Sequence, residues 1–331
     1  MLHRLRNVVA AMSVLSWTFC LCVLDVNENF CAFSNEVQSN RELRLALFAR
    51  ARAEIGLPLL VTKPDSSIGN GFKGRERWES QSSFEDAFFL TLQGYSMANV
   101  SGVPVQYKRI WKCGNNDIRC TLWYLADENV SRLTETGLGH GALIDGKQRR
   151  KLDNGKIPRA DIPLFTLVRD PIAHFNSGLR EYIYRMDSEH KKMYNVAETR
   201  QWVTSVINAT VPMKAIEIEH LTPIATQFRA SHKHRILVGK LEYFQRDMLK
   251  IAQMLECPAL ESEYNGTTLE TRCGHPTSND PNGVGIALES LLREDARFLR
   301  ALCWLHLADY ICFDYSLPKE CAGIGTESFK Y

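Results

Sequence analysis

The sequence predicts an α/β domain in which a central parallel sheet is flanked by helices. Three short apolar runs carry that prediction, because each leads into a turn or a segment with helical spacing. LFTLV (164–168) is nearly apolar throughout and bounded by Pro163 and Asp170, the pattern of a strand buried on both faces. RILVG (235–239) is a second such run, and VPVQYKRIW (103–111) reads as a β-run ending at Lys112-Cys113-Gly114. Strand, loop and helix repeating in this order are what parallel strands with crossover helices require.

From the N-terminus, the first element is VVAAMSVLSWTFCLCVL (8–24), which has no charge, follows His3, Arg4 and Arg6, and precedes Asp25 and Glu28. Its length is the short end of a membrane span and exceeds most signal-peptide apolar regions. Basic residues on the N-terminal side place that end in the cytoplasm. The expectation is a cytoplasmic tail over 1–7, a transmembrane signal anchor over 8–24, and the remainder in a secretory lumen as a single-pass type II protein. A cleaved signal peptide leads to the same compartment; a buried N-terminal helix is the third reading. Residues 25–100 read as a polar stem and lead-in, with helical spacing over 42–55 (Leu43, Leu45, Leu47, Phe48, Ile55) and a basic, glycine-rich stretch, GNGFKGRER, at 69–77. The main domain is expected over 101–320. Within it, DIRCTLWYLADENV (117–130) places Ile118, Leu122, Leu125 and Ala126 on one helical face. YFQRDMLKIAQML (243–255) is helix-like, and GIALESLLREDARFLRALCWLHLADY (285–310) reads as one long amphipathic helix or a pair.

Composition is ordinary for a globular protein, with 45% apolar and 24% charged residues. A net charge of +2 does not point to nucleic acid as a partner, so anion sites must come from local clusters. Beyond the apolar segment lie eight cysteines, Cys31, Cys113, Cys120, Cys257, Cys273, Cys303, Cys312 and Cys321. An even number in an oxidising compartment suggests disulfides, and proximity along the chain suggests Cys257–Cys273 and Cys312–Cys321. Asn99, Asn129, Asn208 and Asn265 head four N-glycosylation sequons, which also fits a lumen. No CxxC pair exists, and no metal site is expected.

Ligands of parallel α/β sheets bind at the carboxyl ends of the strands, and two strand ends here carry positive charge. In KRIWKCGNNDIR (108–119), Lys112 leaves the strand, Gly114 permits a tight turn, and Asn115 or Asn116 suits the cap of the following helix. Backbone N–H groups at that helix start, with Lys112 and Arg119, would face an anion. It is not a Walker loop, since GxxxxGK[ST] is absent. In LFTLVRDPIAHFNSG (164–178), Asp170 is a good N-cap and Pro171 suits the first helical position. Asp170, His174 and Ser177 then share roughly one helix face, so Ser177 joins Arg169 at the helix start as a phosphate clamp. The plainer reading of Arg169 is an ion pair across the strand end.

Lys-x-Gly followed at a distance by an apolar strand, Arg-Asp-Pro and a serine eight positions after the arginine resembles the sulfotransferases that use 3′-phosphoadenosine 5′-phosphosulfate (PAPS). The layout is most similar to the membrane-anchored Golgi carbohydrate sulfotransferases. ILVGKLEYFQRDMLKIAQML (236–255) looks like that family's strand-then-glutamate region, and LHLADYICFDYSL (305–317) like its Asp-Tyr…Phe-x-Tyr ending, so the likeness runs over 104–317 in the expected order. It implies a P-loop-like three-layer fold and PAPS as co-substrate. The first loop, with Lys112, Cys113, Gly114, Asn115, Asn116 and Arg119, would hold the 5′-phosphosulfate, and Arg169 with Ser177 the 3′-phosphate. Two departures stand out: the loop reads Cys-Gly-Asn-Asn where the family often has Gly or Ser followed by Thr-Thr, and His174 stands where an arginine is common.

The chemistry implied is in-line sulfuryl transfer, driven by positioning and charge stabilisation, with Lys112 neutralising the leaving phosphate. The family takes the acceptor proton with a histidine or a glutamate. His140 in TGLGHGALIDG (136–146) is the first candidate, and Glu135, Asp145 and His174 are the alternatives. The same loop matches GxGxxA, but the polar residues before it cannot form the strand that a dinucleotide site needs. GKQRRK (146–151) reads either as a solvated loop or as a cluster that gathers an acidic glycan. The expected activity is transfer of a sulfuryl group to a glycan hydroxyl in the Golgi lumen. The alternative is a non-catalytic, membrane-anchored relative of the same fold that binds glycan or nucleotide.

Overall fold

A computed structural model of the chain describes residues 24–26, 32–57, 88–89, 95–126, 162–186, 193–209, 220–228, 236–265, 280 and 282–325. The sheet has five strands, β1 (Leu24–Val26), β2 (Tyr95–Val100), β3 (Val103–Lys108), β4 (Leu164–Val168) and β5 (Ile236–Lys240), in the order β1-β5-β4-β3-β2. β3, β4 and β5 are parallel neighbours, with Tyr107 opposite Phe165 and Phe165 opposite Leu237. β1 and β2 pair antiparallel at the two edges, so the sheet is mixed rather than wholly parallel. The parallel centre is the part the apolar runs predicted. The β2–β3 hairpin was not predicted, although its two-residue loop is a local signal. Ser101 and Gly102 have φ values of 51° and 91°, the left-handed pair that matches strand twist in a tight hairpin.

Every residue of β4 is buried, as its apolar sequence requires. The period of two sends Phe165 and Leu167 to one face, where Phe165 packs on Tyr107 with ring centroids 5.2 Å apart. α6 (Phe244–Met254) covers the same face. A Cβ on Gly239 would come 2.7 Å from Leu167 Cδ2 and 3.1 Å from Ile251 Cδ1, so glycine is what lets α6 lie this close. On the opposite face, Lys108 reaches over the ring of Phe228, which in turn packs against Phe313.

Ten helices are described. The remaining ones are α1 (Ala32–Ser39), α2 (Arg41–Glu54), α3 (Asn115–Ala126), α4 (Pro171–Met186), α5 (Val196–Ile207), α7 (Pro258–Tyr264), α8 (Val284–Glu294), α9 (Ala296–Leu305) and α10 (Leu307–Cys312). Residues of α3, α6 and α7 join the strands in one apolar core. The second core is helical, built from α2, α4, α5, α8, α9 and the buried pair Phe88–Phe89. The span expected as stem therefore supplies part of the folded body. α2 buries Leu43, Leu47, Phe48 and Ala51, and its Glu54 takes two hydrogen bonds from Arg300 and one from the Trp304 indole.

The C-terminal amphipathic stretch is three helices rather than one or two. Asp295 ends α8 and caps α9, accepting from Arg297 N at 3.2 Å, and His306 separates α9 from α10. Cys303 in α9 is bonded to Cys321, which overturns the expected Cys312–Cys321 pair, and Cys257 is a buried free thiol rather than a partner of Cys273. Proximity along the chain misled because α10 carries Cys312 to the sheet-side core, while Cys303 and Cys321 share the helical one. Among the described residues no helix is long and apolar enough to cross a membrane; the expected anchor lies almost wholly outside them.

Candidate active site

The three parallel strands end at one corner of the molecule, and each hands over to a different piece of chemistry. After β3 the chain turns through residues 109–114. Lys112 has φ 61° and Gly114 φ 71°. The left-handed conformation costs a side-chain-bearing residue about 1–2 kcal/mol, and such strain concentrates at functional loops. The Gly114 carbonyl accepts from Ile118 N at 3.1 Å, so α3 begins at Asn115 and neither Asn115 nor Asn116 is its cap, contrary to expectation. Asn115 is buried, and its Oδ1 meets no hydrogen-bond donor among the described residues. Lys112 Nζ lies 2.8 Å from Glu181 Oε2 on α4. Cys113 is fully buried, and burial pushes its thiol well up against the opposing field of Arg169.

After β4, Arg169 and Asp170 lead into α4. Asp170 Oδ1 accepts from Ala173 N at 2.8 Å and its carbonyl from His174 N, so Asp170 is the N-cap and Pro171 the first helical residue, as the sequence predicted. Ser177 is half-buried on the second turn. His174, between them, is fully buried. Its Nε2 is 3.2 Å from the Trp111 carbonyl, which makes that nitrogen the donor and ties α4 to the β3–α3 loop. Burial, with His306 and Arg169 adding to it, holds His174 well below the ordinary imidazole range, so the ring is neutral.

After β5, Glu242 joins the strand ends. Its Oε1 accepts from Asp170 N at 2.7 Å and its Oε2 from the Tyr315 hydroxyl at 3.0 Å. Lys240 stands over the Tyr315 ring, 4.2 Å from its centroid, and donates to the Asp314 carbonyl at 2.9 Å. Burial raises the Tyr315 hydroxyl, with the Glu242 charge next, so it stays protonated as the donor.

Lys112, Cys113, Gly114 and Arg169 thus border one corner, and Ser177 follows on the second turn of α4. Arg119 is one turn into α3, where its charge acts on buried Tyr107 of the sheet. His140, Glu135, Asp145 and the basic cluster at 146–151 lie outside the described residues. Two carboxylates escaped the sequence reading as site residues. Glu242 was visible only as the glutamate after a strand, and Glu181 had one signal, its place one turn beyond Ser177. Among the described residues no group of side chains could hold a metal ion.

The geometry defines an α/β protein whose parallel strands lead into the Lys112, Arg169 and Glu242 turns. No family model, curated protein or solved structure matches the chain.

Proposed function

We propose that the protein is a P-loop-like sulfotransferase that moves a sulfuryl group from PAPS to a glycan hydroxyl in the secretory lumen. The observation that carries this reading is the meeting of three sequence motifs, far apart in the chain, through named contacts. The Lys112 loop reaches α4 through Glu181 and through the His174 bond to Trp111, and the Arg169-Asp170-Pro171 turn reaches both Glu242 and, through it, Tyr315. A corner with Lys112, Arg169 and the N-terminus of α3 offers what a doubly phosphorylated nucleotide needs, since helix N-terminal N–H groups and a guanidinium fork both favour phosphate oxygens. The chemistry asked of the protein is charge stabilisation at the leaving phosphate, and Lys112 would supply it. Asn99 and Asn265 are exposed, as glycosylated sequon residues must be, which supports the lumenal placement.

The test is calorimetric titration of the purified chain with 3′-phosphoadenosine 5′-phosphate, ATP and NAD. Micromolar binding of the first alone is expected. A folded protein that binds none of them, or prefers ATP or NAD, would refute the donor assignment. Nucleotide binding without turnover on any glycan would favour the non-catalytic relative.

A further inference from the structure

We propose that the exposed seam between α4 and α8 is the acceptor subsite, and that it takes a neutral glycan. The inference rests on the transferase reading above and places the second substrate on the helix that carries Ser177. Asn176, Arg180 and Tyr184 follow one another at i, i+4 and i+8, so they form one stripe along α4, and that stripe borders Ser177 on the helix surface.

The floor of the seam is tightly built. A Cβ on Gly285 would come 2.9 Å from Asp280 Oδ2, 3.0 Å from Arg180 Cδ and 3.2 Å from Asn176 Oδ1, so glycine is what lets these polar side chains converge. Asp280 Oδ2 accepts from Gly285 N at 2.7 Å and from Ile286 N at 3.3 Å, which fixes the first turn of α8. One turn further along α8, Glu289 accepts from the Asn176 amide at 3.4 Å. The two helices therefore run in opposite directions here, and Tyr184 lies toward the residues that precede Gly285. In that segment a Cβ on Gly283 would meet Met193 Cε at 3.0 Å.

Tyr184, Met193 and Ile286 are 42%, 65% and 70% exposed, and they are three of the four large apolar side chains left exposed among the described residues. Single exposed apolar residues are ordinary, but three gathered about one polar cluster mark a binding surface. The cluster also has bonding capacity left. Arg180 Nε is 3.5 Å from Asp280 Oδ1, an ion pair without a hydrogen bond, and Asn176 Oδ1 meets no donor among the described residues. A guanidinium and an amide together offer several donors and an acceptor, which suits the neighbouring hydroxyls of a sugar ring, while the C–H face of such a ring packs on apolar side chains. Charge decides which sugar. Asp280 and Glu289 outnumber Arg180, so an anionic sugar meets repulsion, whereas neutral hydroxyls can donate to both carboxylates. The anionic donor and the uncharged acceptor are thereby sorted by charge along one helix.

The experiment reads nucleotide and glycan binding on the same preparations. Wild type, Arg180→Gln, Tyr184→Ala and Ile286→Ala are titrated with 3′-phosphoadenosine 5′-phosphate and, in its presence, applied to an immobilised array of neutral and uronate-containing oligosaccharides. The wild type is expected to hold neutral members of the array. Arg180→Gln and Tyr184→Ala should bind them about tenfold more weakly, the size of a hydrogen bond to a charged group, with unchanged nucleotide affinity. Ile286→Ala should weaken them less. Preference for uronate-containing members, or neutral binding unchanged in all three variants, would overturn the inference. So would joint loss of glycan and nucleotide binding in the two surface variants Tyr184→Ala and Ile286→Ala, since the seam would then only support the fold. A wild type that binds nucleotide but no neutral oligosaccharide overturns this inference alone, whereas one that binds no nucleotide removes the transferase reading beneath it.

Discussion

Gly178 sets two well-measured effects against each other. It lies inside α4, where replacing glycine by alanine ordinarily stabilises a helix by about 1 kcal/mol through backbone entropy. Yet a Cβ at this position would sit 2.7 Å from the carbonyl carbon of His220, nearer still to its oxygen, and 3.2 Å from Leu221 Cδ2. The first two are backbone atoms, which cannot rotate aside as a flexible side chain does. Overpacking a tight contact costs about 1–3 kcal/mol, and a clash with backbone belongs at the upper end. The clash therefore wins, and Gly178→Ala should be destabilised by about 2 kcal/mol net. At roughly 2–4 °C per kcal/mol for a chain of this size, the melting temperature falls by several degrees. Because Ser177 is the adjacent residue and Glu181 lies one turn on, displacement of α4 should also weaken binding of 3′-phosphoadenosine 5′-phosphate. Thermal denaturation and titration of the same preparations read both effects. If Gly178→Ala melts at or above the wild type, the 220–221 segment yields easily, and the claim that α4 is fixed by this contact is wrong.

Three further outcomes are expected. Arg169→Ala should weaken nucleotide binding by about 1.5–3 kcal/mol, the range for hydrogen bonds to charged groups; an unchanged affinity in calorimetry would remove Arg169 from the 3′-phosphate site. His174 is neutral when folded and titrates near 6.5 when unfolded, so its contribution is intact above that pH and is lost as pH falls below it, at up to about 1.4 kcal/mol per unit. His174→Gln should flatten the slope of unfolding free energy against pH over that window by up to this amount, and an unaltered slope in urea titrations would contradict the neutral buried ring. Replacing Cys303 and Cys321 by alanine opens a loop with a sequence separation of 18 and should cost about 3 kcal/mol in chemical denaturation, whereas an equal midpoint would mean the bridge constrains nothing.

The parts of the fold that were legible in the sequence are those decided by local chemistry. LFTLV became a strand over the predicted residues, Asp170 and Pro171 start α4, and the helical spacing at 42–55 became α2. The illegible parts depend on what the chain meets elsewhere. YSMANV has a mixed composition, and it is a strand because β3 offers it an open edge to pair with. The amphipathic stretch near the C-terminus reads as continuous until Asp295 and His306 interrupt it. Asp295 also receives Arg200 from α5 at 2.7 Å, a contact that no spacing within the stretch reveals. The site shows the same division. Lys112, Arg169 and Ser177 could be read from their turns, but Glu181 matters only because residue 112 comes back beside it.

α4 is the element where fold and proposed function constrain each other. One face carries Phe175, Leu179, Tyr182 and Ile183 into the helical core, together with α5, α8 and α9. Another offers Asp170, Ser177 and Glu181 to the strand ends, and Gly178 seats the helix against His220. The position of the Ser177 and Glu181 side chains therefore depends on packing in a core that, among the described residues, contains no strand residue. Pairing of β4 with its neighbours fixes only where α4 starts; the second and third turns take their direction from the helical core, which the Cys303–Cys321 bridge and the Glu54–Arg300 contacts hold together. It follows that damage to this core, far from Lys112, should reach the nucleotide site through α4. Loss of the disulfide would then weaken nucleotide binding more than its distance from the strand ends suggests.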